Sequence, residues 1–195
     1  MTSLPPEVVA RFEELLQRAR QTDLHEPTAM TLATAGADGR VSARVVLLRA
    51  FDERGFVFYT NLTSDKALQV NANAQVALCM YWDALAEQVR IEGLAERVSD
   101  EEADAYWLGR ARESQIGAWA SRQSETLSAR ETLERRVAKF ELEFRSRDVP
   151  RPEFWSGYRV KARRIEFWKS RPARLHERLV YELHEGSWSQ RLLYP

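Results

Sequence analysis

The chain has 195 residues, with 29 Lys+Arg against 29 Asp+Glu and one cysteine. That balance speaks against a nucleic-acid or membrane-surface protein, which carries a basic excess or patch. Cys79 alone allows neither an internal disulfide nor a cysteine-built zinc site. The length suits a single domain over residues 1–195 with a real core. The N-terminus lacks a secretory pattern, and no apolar run nears the roughly 20 residues of a membrane span, so a cytoplasmic chain is expected.

Pro5 and Pro6 open a predicted helix within an N-terminal segment of residues 1–22, its apolar positions Val8, Phe12, Leu15 and Ala19 at helical spacing. Beyond Pro27 the pattern turns to strands: Met30 to Thr34, Val41 to Leu48 and Gly55 to Thr60, divided by Ala37-Asp38-Gly39 and Asp52-Glu53-Arg54-Gly55 turns. A short helix is expected from Ser64 to Asn73, then strands at Gln75 to Trp82 and Gln88 to Val98. Ser99 with Glu102, and Ser128 with Glu131, have capping-box spacing. The second box opens a helix with Leu133, Val137, Phe140 and Phe144 on one stripe. Strands at Tyr158 to Trp168, Arg178 to His184 and Trp188 to Leu193 close the chain, the last two joined at Glu185-Gly186. The sum is an α+β fold, an antiparallel barrel-like sheet with peripheral helices.

Arg174-Leu175-His176-Glu177-Arg178 is the most telling run. If extended, Arg174, His176 and Arg178 share one face, a row of donors about 13 Å long at about 3.3 Å per residue. Such a row repels itself unless an anion lies across it, and arginine suits phosphate through its planar fork. In isolation the run reads as a solvated edge strand. Arg44 and Arg49 are offset by an odd number of positions, so an unbroken strand points them to opposite faces.

Tyr59 to Lys66 is a strand ending in hydroxyl and amide groups before a helix start, which makes an anion site, with an ordinary N-cap at Thr63 or Ser64 as the equal alternative. Tyr106, Arg110 and Ser114 share one face of a helix that continues through Gly109, resembling a phosphate clamp. Gln88, Gln123 and Ser124 could offer amide and hydroxyl groups to a heteroaromatic edge. The three histidines show no metal-ligand spacing, and no GxGxxG, P-loop or GxSxG motif occurs.

Taken in order, several motifs resemble the pyridoxine/pyridoxamine 5′-phosphate oxidase family: Glu26 to Met30, Arg44 to Leu48, Val57 to Asn61, Ser114 to Trp119, Gln123-Ser124, Glu166 to Trp168 and Arg174 to Arg178. The resemblance implies a split β-barrel homodimer with FMN at the subunit interface. It implies that Arg44 and Lys66 hold the FMN phosphate and that Val45, Val46, Leu47, Tyr59 and Thr60 line the flavin. Gln88, Gln123, Ser124, Trp168 and Arg178 complete the cofactor site, partly from the other subunit. It further implies substrate binding by Arg49, Tyr106, Arg110, Ser114, Arg174 and His176, the last two also catalytic, and no metal. Arg49 stands where the family usually has lysine, and Asp65 where many members have a basic residue. The implied activity is oxidation of pyridoxamine and pyridoxine 5′-phosphate to pyridoxal 5′-phosphate, with O2 reduced to hydrogen peroxide. A flavin-dependent reductase of the same superfamily and a non-catalytic flavin- or pyridoxal phosphate-binding protein are the rival readings.

Overall fold

The computed structural model describes residues 2–195, and Met1 of the N-terminal segment lies outside them. Helix α1 (Pro6–Arg20) starts on a proline whose fixed φ suits the first turn, and it buries Val8, Phe12, Leu15, Leu16 and Ala19. Phe12 meets Phe51 and Phe56 edge-on at 4.8 and 4.9 Å between ring centroids. This helix therefore packs into the main core, as its spacing predicts.

The strands are β1 (Ala29–Ala35), β2 (Val41–Leu47), β3 (Ala50–Asp52), β4 (Gly55–Asn61), β5 (Gln75–Trp82), β6 (Glu87–Arg97), β7 (Trp155–Lys169), β8 (Glu177–His184) and β9 (Ser187–Leu192). The three-residue β3 is absent from the sequence reading, whose expected turn begins at Asp52, the last residue of the strand. All join one antiparallel sheet in the order β2-β1-β5-β6-β7-β4-β3, with β8 between β7 and β9. The fifteen-residue β7 is the hub. Its first residues pair with β4, its last with β8, and β6 runs along most of its length. That change of partner curls the sheet into a half-open barrel, confirming an α+β fold of antiparallel split-barrel type with peripheral helices. Glu185 (φ 48°) and Gly186 (φ 83°) make the left-handed two-residue turn that joins β8 to β9.

The remaining helices are α2 (Asp65–Ala72), α3 (Asp100–Leu108), α4 (Arg112–Ala120) and α5 (Arg130–Glu143). Ser99 Oγ accepts from Glu102 N–H at 3.2 Å, as a capping box requires. The reciprocal half is missing because the Glu102 carboxylate is taken by Arg159. The second box fails. Ala129, not Ser128, is the N-cap of α5, and Ser128 Oγ instead lies 3.3 Å from Thr132 Oγ1. On the α5 stripe Val137 and Phe140 are half-buried, and only Phe144, just past the helix, is fully inside. Together with Trp107, Ile116, Val149 and Trp155 it forms a second, smaller core. No helix among the described residues is long and apolar enough to cross a membrane.

Candidate functional site

A cavity of about 410 Å³ opens between β2, β4, α3 and α4, beside the second core. Val45, Val46, Leu47, Arg49, Tyr59, Thr60, Lys66, Tyr106, Arg110, Ser114 and Gln123 line it, all eleven of them expected from the sequence. Asn61, Gly117, Ala118, Ser121 and Trp155 also line it and were not expected as site residues.

At one end, β4 delivers Thr60 and the start of α2 delivers Lys66. Lys66 Nζ donates to Gln123 Oε1 at 2.8 Å, Ser64 Oγ at 3.1 Å and Thr60 Oγ1 at 3.3 Å. Ser64 is the N-cap residue of α2, its carbonyl accepting from Leu68 N–H at 3.0 Å, but its side chain makes no capping bond and its hydroxyl donates to the Asn61 carbonyl at 2.7 Å. Ser124 adopts φ 76° and sets its Oγ 3.1 Å from the Asp65 N–H, at the helix N-terminus. Burial, and then the neighbouring Arg44 charge, lower the Lys66 pKa. Arg44 itself donates to Thr34 Oγ1 at 2.6 Å, Leu32 O at 3.2 Å and Gln69 Oε1 at 3.2 Å, and does not line the cavity. Arg44 and Arg49 thus diverge, as their spacing predicts.

At the other end the phosphate-clamp trio converges, but not on one helical face. Gly109 ends α3 and Ala111 begins the turn into α4, so Tyr106, Arg110 and Ser114 come from α3, the connection and α4. The break brings Arg110 inward: its Nη2 donates to Ser114 O at 3.3 Å, and its Nε is buried without a partner. Burial lowers the Arg110 pKa, the Tyr106 hydroxyl partly offsets that, and the Arg49 charge lowers it further. Two guanidiniums therefore face one space.

Tyr59 ties the ends together. Its ring lies against Gly157 on the neighbouring strand, where a Cβ would sit 2.8 Å from the ring, so only glycine leaves room. It stacks on Tyr106 at 3.9 Å and 4°. Burial, then the nearby Glu102 charge, push its hydroxyl up to about 12.

Gln88, Trp168, Arg174, His176 and Arg178 do not line this cavity. Gln88, Trp168 and Arg178 are direct cross-strand partners on β6, β7 and β8, so they share one sheet face. Gln88 Oε1 accepts from Cys79 Sγ at 3.4 Å. The extended Arg174–Arg178 row is not formed. Pro172–Arg174 makes a 3-10 turn with Ala173 at φ 55° and Arg174 at φ 60°, and β8 begins only at Glu177. His176 sits 4.6 Å from the Trp168 ring and its Nδ1 accepts from Arg171 N–H at 3.2 Å, while Arg174 is exposed.

The anion beside Arg178 is internal. Glu166, 1 % exposed, takes Arg178 at 2.7 Å, Arg164 at 2.9 Å and Arg90 at 3.5 Å. Burial works against its charge, but hydrogen bonds from Arg178 and Arg164 outweigh that and hold its pKa below the ordinary value. No group of three His, Cys, Asp or Glu among the described residues could hold a metal.

The donor set suits a phosphorylated cofactor and a phosphorylated substrate. Lys66 meets only neutral oxygens at a helix N-terminus, and Arg110 keeps a buried donor unspent. Comparisons with known proteins agree. The family described as pyridoxamine 5′-phosphate oxidase matches residues 16–144, and its pyridoxine 5′-phosphate oxidase C-terminal dimerisation region matches 155–195. The pyridoxine/pyridoxamine 5′-phosphate oxidase of Myxococcus xanthus (strain DK1622) is 55% identical over 98% of this chain and 93% of its own length. That of Rubrobacter xylanophilus is 54% identical over 97% and 88%. A crystal structure of PhzG from Burkholderia lata 383, in complex with tetrahydrophenazine-1-carboxylic acid, superposes with TM-score 0.90 at 34% identity, covering 99% and 93% of the two chains. A pyridoxamine 5′-phosphate oxidase-related, FMN binding protein from Nostoc punctiforme shares the fold, with TM-score 0.78 at 20% identity and 99% of each chain covered. The chain belongs to the pyridoxamine 5′-phosphate oxidase family.

Proposed function

We infer that this chain is an FMN-dependent oxidase, a homodimer, that converts pyridoxamine 5′-phosphate and pyridoxine 5′-phosphate to pyridoxal 5′-phosphate. The observation that carries the reading is the cavity whose three cations, Arg49, Lys66 and Arg110, make no ion pair among the described residues, with one Arg110 donor buried and unspent. Two separated cationic ends suit two phosphates, one on the cofactor and one on the substrate. We also read residues 1–195 as one domain working in the cytoplasm. Its first helix shares the main core, and its one cysteine needs no oxidising compartment.

Lys66 and Arg44, with the N-terminus of α2, Gln123 and Ser124, would hold the FMN phosphate. Val45, Val46, Leu47, Tyr59 and Thr60 would line the flavin. Gln88, Trp168 and Arg178 would complete the cofactor site across the subunit interface, which accounts for their distance from the cavity of their own protomer. FMN, once bound, supplies the two-electron acceptor, which O2 restores with release of hydrogen peroxide.

Tyr106, Arg110 and Ser114, with Arg49, would fix the substrate phosphate, and binding far from the reacting carbon orients that carbon. Arg49 keeps the charge at its position but binds phosphate as a fork rather than a point. Arg174 would cover the substrate face and stabilise the charge developing on the C4′ oxygen or nitrogen. Its left-handed backbone at φ 60° is strain of the kind that gathers at functional sites. His176, held by the Arg171 N–H and the Trp168 ring, would orient the substrate through its phenolic oxygen.

The test is an anaerobic titration of the yellow holoenzyme with pyridoxamine 5′-phosphate. Bleaching, then recovery in air with peroxide produced, is the expected result; a yellow protein that the substrate leaves unbleached overturns the reading. Arg174→Ala is expected to lower turnover far more than it weakens FMN binding, and flavin reduction at wild-type speed in that variant would refute the role given to Arg174.

A further inference from the structure

We propose that Trp155 is a positioning residue that holds Arg110 for the substrate phosphate and so sets affinity for the phosphorylated substrate. The inference rests on the function proposed above and adds a residue that the family motifs in this sequence do not include. Trp155 opens β7, is 4 % exposed and yet lines the cavity. Its backbone is pinned: its N–H donates to Pro152 O at 3.0 Å, and its carbonyl accepts from Arg151 Nη1 at 2.9 Å. The indole is fixed by Trp107 edge-on at 4.8 Å and by Tyr59 in parallel at 5.3 Å.

The Arg110 guanidinium carbon lies 4.9 Å from the centroid of that indole and 5.7 Å from Trp107. Among the described residues Arg110 makes no ion pair; its Nη2 donates to the Ser114 carbonyl at 3.3 Å, and the Tyr106 hydroxyl is its other polar neighbour. A carboxylate would hold a guanidinium more firmly, but it would also consume the charge and the forked donors that a phosphate needs. A π face holds the cation from one side and leaves its edge free, and indole is the strongest of the aromatic faces for this purpose. The arrangement therefore orients Arg110 without neutralising it.

The experiment compares Trp155→Leu and Trp155→Phe holoenzymes with wild type. Trp155→Leu is expected to raise KM for pyridoxamine 5′-phosphate about tenfold, and the inhibition constant of inorganic phosphate in parallel, while kcat moves much less. Trp155→Phe, which keeps a weaker face, is expected to fall between. In an Arg110→Ala background Trp155→Leu should add almost nothing to KM, because the residue it positions is gone. An effect that falls on kcat or on the FMN dissociation constant instead, or that adds in full to Arg110→Ala, overturns the proposal. Where the leucine variant does not fold, a phenylalanine variant with unchanged KM and phosphate inhibition overturns it equally. Failure of the underlying function reads differently: wild-type holoenzyme would then not oxidise pyridoxamine 5′-phosphate at all.

Discussion

Two regions of this molecule concentrate arginine and use it in opposite ways. On the outer face of β6, β7 and β8, Arg90, Arg164 and Arg178 close around the buried Glu166, so their charges are matched inside the protein. In the cavity between β2, β4 and α3, Lys66 and Arg110 meet a carbonyl, hydroxyls, an amide and aromatic faces, and Arg49 lines the same space. Cations matched inside the protein have their charge largely spent, whereas cations left with neutral partners keep theirs; Arg178 is matched by Glu166 and under the proposed function also borders the cofactor, so it belongs to both groups.

The largest expected effect breaks the matched side. Glu166→Gln leaves three arginines facing a neutral amide in a nearly water-free spot, at a cost of about 3 kcal/mol. Denaturant unfolding of the holoenzyme would measure it. The pH dependence has a definite sign. Because the Glu166 pKa is depressed in the folded state, its contribution is fully present above the ordinary carboxylate range and is lost as pH falls through the folded value. Wild type should therefore lose on acidification a share of stability that the glutamine variant never had; parallel acid profiles for the two proteins would break the comparison.

The unmatched side is sharpened by alkali. The Lys66 pKa lies below its ordinary 10.5, so its charge is lost earlier than that of a surface lysine as pH rises. FMN affinity, read from quenching of flavin fluorescence, should be flat near neutrality and then fall by up to about tenfold per pH unit once that lowered pKa is passed. Lys66→Arg should move the fall to higher pH, since arginine keeps its proton. An unchanged profile in the arginine variant would show that Lys66 does not face the phosphate.

Most of the scaffold was legible because its periods are clean. Strand β5 matches its expected span Gln75–Trp82 residue for residue, and α1 buries the positions that its spacing marks. The cavity was legible as a set of residues but not as a geometry. Tyr106, Arg110 and Ser114 do meet, through a helix break at Gly109 rather than along one helix. The extended condition on the Arg174–Arg178 row is not met, because Ala173 and Arg174 take left-handed backbone that neither residue type announces, while the strand expected from Arg178 does form. Arg178 looked unpaired because Glu166 is twelve residues away and reaches it only across the β7–β8 pairing. Trp155 was missed because an aromatic residue at the start of an apolar strand reads as core, and it is core as well as cavity wall.

The smallest expected effect concerns the acid beside Lys66. Asp65 is the first residue of α2, where a carboxylate favours the helix dipole, and its charge offsets part of the lowering that burial imposes on the pKa values of Arg44 and Lys66. The same charge would stand beside a bound phosphate and repel it. Asp65→Asn should therefore act with two signs. Helix α2 loses about 0.5 kcal/mol of dipole stabilisation, so the apoprotein melts slightly earlier. FMN binds about threefold to tenfold tighter, since removing one exposed like charge is worth about 1 kcal/mol. Fluorescence titration of the apoprotein with FMN, alongside its thermal unfolding, reads both. If affinity and stability instead fall together, Asp65 serves the site as a structural cap, and the acid belongs with the matched charges rather than against the ligand.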